Sequence, residues 1–134
     1  MAEVRVAESG QGRYQQQISA GEHQFLADEP AHLGGGDSGP NPFDLVMAGL
    51  GACTSITLRM YAERKRLPLK TIQVDLSHNR IDVDGQRRDH IERTISLVGD
   101  LTPEQRQRLL EIANRCPVHR ALSGSIHIES RLSE

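Results

Sequence analysis

The chain has two cysteines, Cys53 and Cys116, separated by 63 positions. Three chemistries are open to such a pair. The two can be inert residues of a core, since free cysteine is among the most buried residue types. They can be metal ligands. They can also be working thiols: a thiolate attacks an O–O bond, becomes a sulfenic acid, and a second cysteine condenses with it to a disulfide. That last use needs one reachable thiol of low pKa and a partner able to come within disulfide distance. Spacing alone leaves all three open.

The surroundings of each cysteine bear on the choice. Cys53 lies in MAGLGACTS, residues 47–55, where Gly49 and Gly51 stand in an otherwise helical stretch. Each mid-helix glycine costs about 1 kcal/mol relative to alanine. With Ala48 and Ala52 they surround Cys53 with small side chains, which lets another backbone approach closely or leaves a pocket beside the sulfur. Cys116 lies in NRCPVHR, with His119 three positions on. A C-x-x-H pair joined by Cys53 would be three ligands, but no second close pair accompanies it, so we expect no metal site. His119 either tunes the Cys116 thiolate or is an ordinary polar residue at a helix end. Phe43 and Met47 either line an apolar pocket for a substrate or belong to the core.

Composition narrows the class. The 134 residues fit one domain spanning 1–134. With two Phe, two Tyr and no Trp, the core must come from Leu, Ile, Val, Ala and Met, which points to a core shared between copies. The net charge of −2 shows no basic stripe, which argues against nucleic acid. Arg64–Arg66 and Arg87-Arg88 read as solvated residues at a helix end and a turn. The first residues, MAEVRVAESG, carry no apolar segment of a secretory signal, and the uncharged run Leu45–Leu58 is too short to span a bilayer. We therefore expect a soluble cytoplasmic protein with no membrane partner, where cysteines are normally reduced.

The elements that must position the thiols follow from pattern. Residues 2–8 and 12–27 show broken alternation and predict two or three short strands with a turn at Ala20-Gly21. The stretch 30–42, PAHLGGGDSGPNP, is a loop without the pattern of a phosphate cradle. Asn41-Pro42 predicts a helix start, and the helix runs to about Arg66, before Pro68. Leu45, Gly49, Ala52, Cys53, Ile56 and Met60 form a stripe at helical spacing, and the first four turns, free of charge until Arg59, predict burial nearly all round. Ile72, Val74 and Leu76 alternate as a strand; Asp84-Gly85 is a two-residue hairpin signal; Ile91, Ile95 and Leu97 share one face of the return strand. Thr102-Pro103-Glu104-Gln105 is a capping box opening a second helix, in which Leu109, Ile112, Ala113 and Cys116 recur at core spacing. Pro117 restarts a short turn to about Leu122, and SIHIESRL, with Ile126, Ile128 and Leu132, predicts a final strand. The class is α+β, an antiparallel-rich sheet covering a buried helix.

Two stretches, GPNPFDLVMAGLGACTS (39–55) and RCPVHRAL (115–122), resemble the OsmC/Ohr superfamily of osmotically induced and organic hydroperoxide resistance proteins. LRMYAERK and IANRCPVHRAL are most similar to its OsmC-like branch. The resemblance implies an OsmC-like fold, with antiparallel sheets wrapped around a long central helix in an intertwined homodimer. It implies a site in which Cys53 is the peroxidatic nucleophile and Cys116 the resolving thiol, with Arg13 of GQGRY as the arginine that stabilises the thiolate. It also implies a small organic hydroperoxide as substrate, a dithiol as reductant, and no metal or bound organic cofactor.

One position departs from the family pattern. Its typical peroxidases carry Glu directly after Asn-Pro, where it holds the arginine; here that residue is Phe43, and the carboxylate is Asp44. At 100° per residue, Asp44 points away from the Cys53 side of the helix, so it is expected to cap the helix. The resemblance thus implies a thiol peroxidase, and Phe43 favours its rival, a non-catalytic stress-associated or ligand-binding module; a redox sensor using the same pair is a third reading.

Overall fold

Asp84 and Gly85 both adopt positive φ, 52° and 79°, the geometry of a two-residue turn that matches the twist of its flanking strands. Around it β4 (Leu69–Val83) and β5 (Gln86–Gly99) pair antiparallel, with Val83 opposite Gln86 and Leu76 opposite Arg93. The computed structural model describes residues 3–133. The chain divides into two compact units, Met1–Val46 and Met47–Glu134. The fold is α+β, with antiparallel sheets and one long helix, as the sequence leads us to expect.

The first unit holds a three-stranded antiparallel sheet, β1 (Val4–Glu8), β2 (Gln16–Ala20) and β3 (His23–Ala27). The β2–β3 turn falls on Gly21-Glu22, one residue later than expected. The glycine-rich loop that follows folds around its own carboxylate. Asp28, only 4% exposed, accepts the Ser38 hydroxyl at 2.6 Å and the N–H groups of Glu29 and Ser38 at 2.7 and 3.2 Å. The Ser38 hydroxyl, against the opposing effect of burial, and the N–H groups of Glu29, Ser38 and Gly36 hold this carboxyl below its ordinary pKa. The loop's donors are thus engaged by its own chain.

Helix α1 spans Pro42–Lys65. Asn41 and Asp44 cap its start reciprocally: Asp44 N–H donates to Asn41 Oδ1 at 2.8 Å, and Asn41 N–H to Asp44 Oδ2 at 3.2 Å. At the far end Arg66 takes φ 55°, Leu67 N–H reaches the Ala62 carbonyl and Arg66 N–H that of Glu63. This is the helix-ending motif that usually recruits glycine; Pro68 follows it. By length and composition α1 could also cross a membrane, a test that the core helix of a folded unit passes as well.

The expected burial of α1 is not what the structure shows. Its buried residues are Leu50, Gly51, Thr54, Leu58 and Ala62. The predicted stripe lies on the opposite side at 100° per residue, with Ile56 55% and Met60 64% exposed. A helix segment without charges has no polar face to mark which side meets the core, and a threonine on the inner side hides the true stripe further.

In the second unit Leu58 and Ala62 of α1 pack with Leu69, Leu101 and three residues of α2 (Pro103–Ala113), namely Leu109, Ile112 and Ala113; Ile72, Ile95 and Leu97 of the hairpin close this core. The predicted capping box opens α2: Thr102 Oγ1 accepts Gln105 N–H and the Gln105 side chain accepts Thr102 N–H. Arg59 ties α1 to β4 through the Leu69 and Lys70 carbonyls. Helix α3 (Pro117–Ser123) restarts at Pro117 as expected. The final strand is not formed: residues 125–133 have no ladder partner among the described residues, and Ile126, Ile128 and Leu132 are exposed. Alternation is legible in sequence, but a strand also needs a partner, and among the described residues neither sheet takes this segment as a further strand.

Leu109 has no exposure whereas Leu110 is 49% exposed. Leu109→Ala should therefore cost about 3 kcal/mol of unfolding free energy, and Leu110→Ala less than about 1 kcal/mol in the isolated chain. Urea unfolding of the two variants checks this; equal losses would contradict the placement of α2.

Candidate functional site

Cys53 and Cys116 come together within the second unit. Cys53 sits on the flank of α1, between its buried and exposed sides, and is half-buried; Cys116 is fully buried. The expectation that both lie on core-facing stripes thus holds for Cys116 alone. Cys116 follows the end of α2 and caps the start of α3, where its sulfur accepts His119 N–H at 3.3 Å. The neighbouring Val118 N–H donates to Cys53 Sγ at 3.5 Å. Two consecutive backbone donors at the start of α3 are therefore aimed at the two sulfurs. Pro117 sets up this arrangement, because a fixed φ and no N–H suit the first helical position.

The electrostatics favour an anion at Cys116. Burial alone would push the Cys116 thiol up. The His119 N–H, the Cys53 thiol, the Thr54 hydroxyl and the Arg93 guanidinium outweigh it, and its pKa lies below the ordinary cysteine value. His119 is also shifted down, by burial first and by Arg93 second, which favours its uncharged ring. It is the backbone of His119 that serves the sulfur.

Two residues at the site escaped the sequence reading. Thr54 is fully buried, donates to the Leu50 carbonyl at 2.7 Å and lies 3.9 Å from Cys116 Sγ. Arg93 donates to Thr54 Oγ1 at 2.9 Å, to the Ala113 carbonyl at 3.5 Å and to Asn114 Oδ1 at 2.8 Å. The signal for Arg93 was present: it shares the alternating face of Ile91, Ile95 and Leu97, where a charged residue has to find a partner.

The other residues named from sequence lie as follows. Met47 is half-buried on α1 in the second unit. Phe43 is exposed in the first turn of α1, and Arg13 is exposed with its guanidinium 4.9 Å above the Tyr14 ring; both belong to the first unit. Asp44, next to Phe43, is engaged in capping Asn41. Among the described residues no group of three or more His, Cys, Asp or Glu comes together as metal ligands.

What this geometry defines is a dithiol site on an α+β scaffold, and comparison with known proteins places that scaffold. The family model described as OsmC-like protein matches residues 34–131. The chain belongs to the OsmC-like family. No curated protein matches it in sequence. Among solved structures, an OsmC-like protein from Mycoplasma pneumoniae is similar with a TM-score of 0.76 at 18% identity, over 92% of this chain and 88% of that one. An organic hydroperoxide resistance protein OsmC from Legionella pneumophila gives 0.71 at 17% identity, over 92% and 90%. The organic hydroperoxide resistance protein OhrB of Bacillus subtilis gives 0.65 at 25% identity, over 92% and 91%.

The difference in burial yields a direct test. In the native reduced protein a thiol-alkylating reagent should modify Cys53 well ahead of Cys116, and the two should label together once the chain is denatured. Peptide mass spectrometry reads the order; Cys116 labelled first would contradict the site as described.

Proposed function

We propose that the chain is a two-thiol peroxidase that reduces organic hydroperoxides, with Cys53 as nucleophile and Cys116 as resolving thiol. The observation that carries this reading is the pairing of a reachable sulfur with a buried one, each met by a backbone N–H at the start of α3. Hydroperoxide resistance is the named property of the Legionella and Bacillus relatives, which supports it further.

The chemistry starts from Cys116, whose pKa is held below the ordinary cysteine value and which therefore carries the resting thiolate in this reading. Cys116 thiolate takes the proton of Cys53, and Cys53 thiolate attacks the outer oxygen of ROOH. The O–O bond breaks, Cys53 becomes a sulfenic acid, and the departing alkoxide takes the proton from Cys116 and leaves as ROH. Cys116 thiolate then attacks the Cys53 sulfur, forming the disulfide and releasing hydroxide. A dithiol reductant restores both thiols and leaves as its own disulfide. No metal or organic cofactor enters these steps. Met47, on the same helix as Cys53, is assigned to the apolar part of the substrate. A compartment rich in reducing dithiols, such as the cytoplasm, suits the cycle.

A second reading, a redox sensor or ligand-holding module built on the same pair, is favoured by one observation. Asp44, the carboxylate nearest the family's glutamate position, is taken up by the cap of α1. The two readings part at turnover. With a dithiol present, purified protein should consume a bulky organic hydroperoxide faster than hydrogen peroxide. Cys53→Ser should lower the rate by about a hundredfold or more, and Cys116→Ser should allow one turnover and leave a sulfenic acid on Cys53. Disulfide formation without repeated turnover would select the sensor.

We infer in addition that two copies of the chain associate as a homodimer. The side of α1 bearing Ile56 and Met60, and Ile126, Ile128 and Leu132 beyond α3, leave large apolar side chains exposed that an association of copies would cover. Sedimentation at micromolar concentration should show a dimer, and Ile56→Glu with Met60→Glu should shift it to monomer. A wild-type monomer would end this inference.

A further inference from the structure

Arg93 stands where its strand should carry an apolar side chain, between Ile91 and Ile95 on the half-buried face of β5. Its guanidinium meets only neutral acceptors: the Thr54 hydroxyl, the Ala113 carbonyl and the Asn114 side chain. Among the described residues no carboxylate forms an ion pair with it, whereas Arg80, Arg87 and Arg108 on the surface each have one. A half-buried cation without a counter-charge is costly, so such a site favours an anion beside it. The groups that face Cys116 are Cys53 and Thr54 from α1, Arg93 from β5 and His119 from α3, and burial and Arg93 both disfavour charge on the His119 ring. The one group there able to become an anion is the thiol pair itself.

Thr54 links the two. Arg93 fills a lone pair of the Thr54 oxygen, and the single hydroxyl proton has two acceptors in range, the Leu50 carbonyl and Cys116 Sγ. Donation from a cation polarises that hydroxyl and strengthens it as a donor to a thiolate.

We propose that Arg93 is the positioning residue that holds the thiol pair anionic, through Thr54 and through its own unneutralised charge. The chain would then carry this cation on β5, within the same unit as both cysteines, and would need no glutamate at position 43 to hold it. The proposal deepens the peroxidase reading and rests on it for its purpose, but its test needs no peroxide.

The test is the ultraviolet absorbance of thiolate in the reduced full-length protein as a function of pH. Arg93→Gln should move the midpoint of the first proton loss upward by about one pH unit, because an opposite charge favours the ionised form by that order or more. Alkylation of Cys53 at neutral pH should slow severalfold in step, and Arg93→Lys should recover part of both, since it restores charge without the fork. Arg88→Gln, near the hairpin turn, controls for net charge and should leave the midpoint in place. A folded Arg93→Gln protein with an unmoved midpoint would overturn the proposal, as would an equal shift in Arg88→Gln. If Arg93→Gln does not fold, Asn114→Ala decides: it removes the outer anchor of the guanidinium and should raise the midpoint by a smaller amount, and no change would overturn the proposal. A low midpoint that depends on Arg93, in a protein that consumes no hydroperoxide, would sink the peroxidase reading and leave the role of Arg93 intact.

Discussion

A sulfur that is to carry charge away from water has to be supplied with donors by the protein, and the second unit is organised around that requirement at Cys116. The residue is wholly buried, so the anion loses its hydration. Four elements meet it in compensation: the turn from α2 into α3 that contains it, the His119 N–H of α3, Thr54 from α1 and Arg93 from β5. Each is held by interactions that have nothing to do with sulfur. The capping box fixes the start of α2, Pro117 fixes the start of α3, and the Leu50 carbonyl fixes Thr54. The low pKa of the thiol is thus a property of the fold.

Burial divides the labour between the two cysteines. Full burial protects Cys116 from solutes and leaves Cys53, on the flank of α1, as the sulfur that meets them. Had Cys53 lain on the stripe of Leu50, Thr54 and Leu58, it would have been shielded as well, and the pair would have no reachable member. Helical spacing in the sequence puts Cys53 on a stripe with Ile56 and Met60 that reads as core-facing; in the structure Ile56 and Met60 are exposed and Cys53 is half-buried.

What was legible in the sequence depended on whether its cause was local. The caps at Asn41-Pro42 and Thr102–Gln105, the turn at Asp84-Gly85 and the break at Pro117 are decided within a few residues, and all four stand in the structure. The adjacency of Cys53 and Cys116 came from resemblance to a family, since no spacing rule joins positions 63 apart. The buried side of α1 and the unformed strand after α3 depend on what packs against them, which local pattern cannot state. Arg93 falls between these cases: its place on the apolar face of β5 could be read from alternation, but its partners could not.

Of the two glycines beside Cys53, only Gly51 has a neighbour that asks for a missing side chain. A side chain at Gly49 would meet nothing, whereas a Cβ at Gly51 would come within 2.9 Å of Leu76 Cδ1. Gly51 therefore leaves room for the end of the Leu76 side chain against α1. Leu76 is the cross-strand partner of Arg93, and directly opposed side chains in an antiparallel pair share one face of the sheet. On that same face Arg93 reaches Thr54, the residue after Cys53, at 2.9 Å. The face of the hairpin whose Leu76 side chain Gly51 accommodates is thus the face that brings a cation toward the sulfurs.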